Sequence, residues 1–120
     1  MDFCEQEGQD GSLHQSAEKI LRRLRDTAYE RELGQELEKL YRDFKKWRNK
    51  EVDGFALNDL IHKYHHGPSR ELWKFYSYAD HDTAVARAVK LDLIKKEEIP
   101  DDILQLLAPR FDLIRYNDES

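Results

Sequence analysis

Residues 33–47 read LGQELEKLYRDFKKW, and the apolar side chains in this stretch recur mostly at steps of three and four. This spacing predicts one apolar face of an α-helix, because a helix turns by about 100° per residue. The members of this row are Leu33, Leu37, Leu40, Tyr41, Phe44 and Trp47. An earlier row has the same period and consists of Leu13, Ala17, Ile20, Leu21, Leu24 and Ala28.

The two rows lie on nearly opposite sides of one helix cylinder, so a single straight helix cannot turn both toward one core. Either the chain turns near Gly34, or one long helix packs its two faces against different neighbours. We expect a break or kink at Gly34, because glycine in a helix interior costs roughly 0.5–1 kcal/mol relative to alanine. The row that ends with Phe44 and Trp47 is expected to point into the core.

Helix signals continue through the rest of the chain, and strand signals are nearly absent because no run alternates Val, Ile and Thr. Asp53-Gly54 predicts a turn. Gly67 predicts a helix end in the left-handed conformation, and Pro68 then fits the first turn of the next helix, where its missing amide costs nothing. The sequence therefore predicts an all-α fold, a compact single-domain bundle of five or six helices.

The predicted helical domain covers residues 12–109 and begins at Ser12, which has capping-box spacing to Gln15. Residues 1–11 contain two glycines and a net charge of −4 without an apolar period, so they are expected to form an acidic flexible tail. Pro109 is expected to end or kink the last helix. Residues 110–120 are then an irregular C-terminal tail.

The composition points to a helical protein with a large solvated surface. Of the 120 residues, 39% are hydrophobic and 38% are charged, against typical values of roughly 45–50% and about 25%. The net charge of −5 is uneven, with +4 on residues 12–50 and −4 on residues 80–120. This polarity indicates contacts between a basic and an acidic half, within one chain or between copies, unless both are simply solvated faces.

The chain shows no sign of export or of a membrane partner. Cys4 is the only cysteine, so no internal disulfide can form and no oxidising compartment is needed. No basic-then-apolar signal segment is present, and no apolar run approaches the ~20 residues that span a bilayer. A cytoplasmic location is the expectation.

Residues 62–72, HKYHHGPSREL, concentrate the side chains that most often bind metals or anions or move protons. His62 is three and four residues from His65 and His66, so either pair could chelate a divalent transition metal from one helix face. A third donor would be Asp59 or Glu71, or His81 further along the chain. The alternative is structural: histidines in a last helical turn interact favourably with the helix dipole and with terminal carbonyls.

The start of the helix after Pro68 is a candidate anion site. Ser69 and Arg70 lie where free amides and the dipole of a new helix favour a phosphate or carboxylate. Ser69, His65 and Glu71 could be combined into a catalytic triad on paper, but no nucleophile-elbow glycines flank the serine. No catalytic residue is assigned, and the sequence leans against an enzyme.

Trp73 and Tyr78 lie off the apolar face of their predicted helix and are candidate partner-binding residues, because such side chains bury a large area at low entropic cost. They could instead pack against another helix of the same chain. Residues 42–50, RDFKKWRNK, mix basic and aromatic side chains, but the net negative charge argues against a nucleic-acid partner.

The sequence predicts a small cytoplasmic helical protein that acts as a protein-interaction or regulatory module. Its partner would be another protein or a second copy, which would make it a homodimer. No cofactor is expected under this hypothesis. The alternative is a metal-dependent enzyme or metal-binding protein centred on His62–His66.

Overall fold

The computed structural model describes the backbone of residues 3–119 and the side chains of residues 16–111. Over this range every regular element is helical and no strand occurs, which confirms the all-α class. The elements are α1 (Phe3–Arg48), α2 (Gly54–Tyr64), a π-helical segment (His65–Ser69), α3 (Arg70–Tyr78), α4 (His81–Lys90), a 3-10 turn (Lys96–Glu98) and α5 (Asp101–Glu119).

Helix α2, the π segment and α3 follow one another without interruption from Gly54 to Tyr78. The described part of the chain therefore contains four continuous helices, and the predicted count of five or six is not confirmed. The difference arises at two glycines. Neither Gly34 nor Gly67 has a positive φ, and neither ends a helix.

Helix α1 passes through Gly34 without the break that the sequence predicted, so the chain forms one long helix here. The packing of its second face against a different neighbour stays a prediction. The earlier row packs inward, as the burial of Leu21 and Ala28 shows. The later row was expected in the core, and this prediction is wrong. Its members Leu37, Tyr41, Phe44 and Trp47 are exposed.

The ends of the chain also differ from the predicted secondary structure. The backbone is helical over residues 3–11, within the segment that the sequence predicted to be an acidic flexible tail. Helix α5 continues past Pro109 to Glu119, so the irregular tail predicted for residues 110–120 is wrong for its described backbone. The domain bounds 12–109 stay a prediction, and the side chain of Cys4 lies outside the described residues.

The chain divides into two compact units, unit 1 with Met1–Ala28 and Asp80–Ser120, and unit 2 with Tyr29–Ala79. Most of the buried side chains belong to unit 1: Leu21, Ala28, Ala84, Val85, Ala86, Ala88, Leu93, Ile94, Ile99, Ile103 and Leu107. Among the described residues of unit 2, the buried apolar side chains are Leu57, Leu72 and Tyr76. In neither unit does a described helix have the length and apolar character that crossing a bilayer requires.

In unit 1, hydrogen bonds define both ends of α4. At its start the Asp80 carboxylate accepts a hydrogen bond from the Thr83 amide (3.0 Å), and Arg110 of α5 contacts both Asp80 Oδ2 (3.3 Å) and Thr83 Oγ1 (3.2 Å). At its end Asp92 adopts a left-handed conformation with φ of 61°. The Leu93 amide then donates to the Ala88 carbonyl (2.8 Å), as in a Schellman motif.

Unit 2 is held together by Tyr76. Its ring stacks on Tyr29 of α1 with centroids 4.6 Å apart, and its hydroxyl donates to Glu32 Oε1 at 2.7 Å. The predicted turn at Asp53-Gly54 is confirmed, because Asp53 caps α2 by accepting a bond from the Ala56 amide at 2.8 Å. The contacts of Tyr76 therefore hold α1 beside α3, and Asp53 fixes the start of α2.

Candidate functional site

The histidine-rich segment, residues 62–69, lies inside a continuous helix and not at a helix junction. Tyr64 and Ser69, which flank residues 65–68, have right-handed helical dihedral angles. Pro68 lacks an amide and its ring would clash with the carbonyl one turn earlier in an α-helix. The wider π turn around Pro68 accommodates the ring, so the chain remains helical. The predicted helix end at Gly67 is therefore wrong, and so is the interpretation of the histidines as C-terminal caps.

The three imidazoles of this segment lie close together on the surface. The rings of His62 and His66 are nearly parallel, with centroids 6.2 Å apart, and His65 meets His66 edge-on at 5.2 Å. Asp59 and Glu71, the predicted further donors, are exposed. Among the described side chains, no group of three or more His, Cys, Asp or Glu is arranged to hold a metal ion. A metal at His62–His66 stays a prediction.

His81, the more distant candidate donor, has a different neighbour. It belongs to unit 1, where its Nδ1 lies 3.5 Å from Glu18 Oε1. This contact joins the start of α4 to the part of α1 that lies in the same unit. His81 therefore makes a polar contact between two helices of unit 1.

Ser69 and Arg70 do not lie at a helix N-terminus, because the helix that was predicted to start there is the continuation of α2 and the π segment. The Arg70 amide donates to the Gly67 carbonyl and is not free for an anion. The free amides and the helix dipole that would favour an anion at this position are therefore absent. A role of the Ser69 and Arg70 side chains in binding an anion stays a prediction.

A groove of about 430 Å³ in unit 2 brings several of the predicted site residues together. It is lined by Tyr29, Leu33, Tyr64, His65, His66, Ser69, Arg70 and Trp73. Aromatic and aliphatic side chains come from α1, α2 and α3, and the polar side chains come from the π segment and the first turn of α3. The groove includes both candidate anion ligands and two of the three histidines, whereas His62, Asp59, Glu71 and Tyr78 are not among its lining residues.

Trp73 lines the groove, and its ring contacts that of Tyr78, which is not a lining residue. The exposed fractions are 54% for Trp73 and 78% for Tyr78. Their rings meet edge-on with centroids 6.3 Å apart, an arrangement that aromatic pairs favour. Both residues thus present a preformed aromatic pair to solvent, and their role in binding a partner stays a prediction.

The exposed row at the end of α1 is the surface that the preferred sequence-based prediction placed in the core. Leu37, Tyr41, Phe44 and Trp47 are between 40% and 58% exposed. The signal that could have revealed it is the opposed placement of the two apolar rows, because one long helix cannot bury both faces in a single core. The second row therefore stays exposed on the chain itself.

Comparison of the chain with protein-family models, with curated proteins and with solved structures gave no match. The chemistry of the groove and of the α1 row is therefore what bears on function. The groove combines apolar and aromatic side chains with imidazole, hydroxyl and guanidinium groups, a composition typical of binding sites.

Proposed function

We propose that the protein is a protein-interaction module that binds a segment of a partner protein in the groove of unit 2. The exposed indole of Trp73 among the residues that line the groove is the observation that carries this proposal. Tryptophan side chains that enter an interface are enriched among the residues that dominate binding energy. The edge-on contact with Tyr78 restricts the Trp73 side chain in the free protein, so less conformational entropy is lost on binding.

The polar wall of the groove indicates the chemistry of the partner segment. Arg70 always carries a positive charge and can bind a carboxylate through two parallel hydrogen bonds. The adjacent His65 and His66 add donors, and the Ser69 hydroxyl adds a further one. The groove fits a segment that places an apolar side chain beside an Asp or Glu. In this proposal the Ser69 and Arg70 side chains bind the carboxylate, and no helix N-terminus at residue 69 is needed.

The cellular setting is part of the same proposal. A single cysteine in the chain is compatible with a reducing compartment, and we propose a cytoplasmic location. The net charge of −5 disfavours nucleic acid as the partner, because such binding depends on excess Lys and Arg at the phosphates. A regulatory role would follow if the partner's activity changes on binding.

The test compares proteins retained by the wild-type chain and by Trp73→Ala. Quantitative mass spectrometry of tagged chains should show one or more proteins retained by the wild type and depleted at least about tenfold for Trp73→Ala, since loss of a hot-spot aromatic typically costs about 2 kcal/mol or more. Direct titration of the purified partner against Arg70→Ala should show weaker binding. Phe55→Ala is the matched control, because Phe55 is 86% exposed and lies outside the groove.

Circular dichroism of each variant must match the wild type, since the expected loss is one of contact and not of helix. If the retained proteins are the same for the wild type and Trp73→Ala, the groove is not the binding surface and the proposal is wrong.

A metal-binding protein or metal-dependent enzyme is the second candidate, and the parallel pair His62 and His66 is the observation that favours it. Zinc binds imidazole nitrogen at about 2.0–2.1 Å, so both rings would have to rotate from their present 6.2 Å separation to share one ion. Asp59 or Glu71 would complete the set, with a divalent transition metal as cofactor. Elemental mass spectrometry of tag-free protein prepared without chelators should then show near-stoichiometric metal that His62→Ala with His65→Ala removes. Metal content unchanged in that variant would exclude this site.

A further inference from the structure

A second surface lies on α1, on residues other than those that line the groove. Six positions of this helix follow one another at steps that alternate between four and three, namely Glu30, Gly34, Leu37, Tyr41, Phe44 and Arg48. The alternation of four and three is the heptad spacing of a coiled-coil seam. Five of the six positions are exposed and Gly34 is half-buried, so this seam faces solvent over a length of about 28 Å.

Gly34 is the least expected member of the seam. Glycine in a helix interior costs about 0.8–1.0 kcal/mol relative to alanine, and nothing in the chain itself requires it, because a Cβ at Gly34 would meet no atom within 4 Å. Its φ is not positive either. The missing side chain leaves a depression on the exposed face of α1, one turn before Leu37.

We propose that the seam of α1 pairs with the same seam of a second copy of the chain, with the two helices antiparallel about a two-fold axis near Lys39. This register places Phe44 of each copy in the depression at Gly34 of the other. It also places Leu37 opposite Tyr41, and Glu30 opposite Arg48. Each contact occurs twice, as a two-fold interface requires.

The distribution of charge along α1 selects this orientation. Residues 30–38 have a net charge of −3 and residues 42–50 have a net charge of +4. An antiparallel pair sets each acidic stretch against a basic one, whereas a parallel pair sets like charge against like charge. A parallel pair would also stack Gly34 on Gly34 and leave a void. The fit of Phe44 at Gly34 and the pairing of acidic with basic stretches therefore favour the same antiparallel arrangement. A second copy of the chain provides both the Phe44 ring and the complementary charge.

The first test is sedimentation equilibrium of the full chain over a concentration series, with Phe44→Ala and Gly34→Gln as variants. The wild type should be a dimer at high concentration. Phe44→Ala removes two buried rings per dimer and should raise the dissociation constant by about 100-fold or more. Gly34→Gln should also give monomer, because the new side chain occupies the space of the incoming Phe44 ring.

The helical content of Gly34→Gln should not fall, since glutamine forms helices better than glycine; this keeps a failure of folding distinct from a failure of pairing. Phe55→Ala is the control and should dimerise like the wild type, as Phe55 lies outside the seam.

Charge reversal tests the orientation. Glu30→Arg and Arg48→Glu should each weaken the dimer several-fold, because each creates two like-charge contacts, and the double variant should recover most of the wild-type affinity. A double variant weaker than either single variant would overturn the antiparallel register. A wild type that stays monomeric at every concentration, or an unchanged dissociation constant in Phe44→Ala, would overturn the pairing itself. Neither result bears on the groove, which Trp73→Ala tests separately.

Discussion

Tyr76 joins α1 and α3 within unit 2 through two different parts of its side chain. The ring stacks on Tyr29 with an interplanar angle of 10°, and the hydroxyl donates to the Glu32 carboxylate over 2.7 Å. Because few other side chains of this unit are fully buried, these two contacts have a large share in fixing the position of α3. That position in turn sets the width of the groove between Tyr29 and Trp73.

We predict that Tyr76→Phe lowers the free energy of unfolding by about 1–3 kcal/mol. The variant keeps the stacked ring and removes only the hydroxyl, so it isolates a hydrogen bond to a charged group. Urea denaturation followed by circular dichroism measures the change. Tyr78→Phe is the matched control, because the Tyr78 side chain is 78% exposed. Equal stability of Tyr76→Phe and the wild type would show that the 2.7 Å contact contributes nothing.

Asp80 should make the stability of unit 1 depend on pH. Hydrogen bonds from Thr83, assisted by the Arg110 guanidinium, lower the pKa of Asp80 from its ordinary value of 3.8. A lowered pKa in the folded state means that the carboxylate stabilises the fold above the ordinary value, and that this contribution disappears as the pH falls through the lowered pKa.

We therefore predict that Asp80→Ala costs about 1 kcal/mol at neutral pH, the usual effect of losing an N-cap. The difference from the wild type should shrink as the pH falls below the ordinary value of 3.8 and through the lowered pKa of Asp80. Asp80→Asn, which can still cap α4 but carries no charge, should show a smaller difference at neutral pH. Parallel urea titrations of the three proteins measure this, and a difference for Asp80→Ala that is constant over the whole range would contradict the assignment.

At the scale of the elements, local spacing predicted the helices well and their ends poorly. The periods of α1, α2 and α3 are strong because apolar side chains repeat over several turns. The end predicted at Gly67 failed because a proline can be accommodated by a π turn when the helix on both sides is packed, here by Leu57 and Leu72. Sequence spacing contains no information about that packing.

The same limit applies to the candidate site. A spacing of four was enough to predict that His62 and His66 are neighbours. The groove could not be predicted, because Tyr29 and Leu33 meet Trp73 only through the packing of α1 against α3. The break expected at Gly34 failed for a related reason: the second apolar row of α1 did not have to face the core of its own chain.

We predict that Pro68→Ala raises the free energy of unfolding by about 1–2 kcal/mol. The substitution restores an amide and removes a ring that an α-helix interior accommodates only at a cost of ~3 kcal/mol, while the greater freedom of the unfolded chain offsets part of the gain. Urea denaturation measures the change, with Pro100→Ala as a control at a loop position outside the helices. A loss of stability in Pro68→Ala would show that the π turn is required by the packing of unit 2.

At the scale of the whole molecule, burial and exposure are divided unequally between the two units. Unit 1 contains most of the buried apolar side chains, whereas seven of the nine exposed large apolar side chains among the described residues lie in unit 2. Both proposed binding surfaces, the groove and the α1 seam, belong to unit 2. Unit 1 contains most of the buried core, and unit 2 contains most of the exposed apolar surface on which the two proposals rest.

This division predicts unequal local stability. Amides of α4 and of residues 101–107 should exchange with solvent at least about tenfold more slowly than those of α2 and α3, because local opening is least costly where few apolar contacts are buried. Amide hydrogen exchange followed by mass spectrometry measures the two sets in one sample. Amides of residues 30–48 are left out of the comparison, since pairing of α1 between copies would protect them independently. Equal protection of α2–α3 and α4–α5 would show that the few buried side chains of unit 2, chiefly Tyr76, stabilise it as fully as the larger core stabilises unit 1.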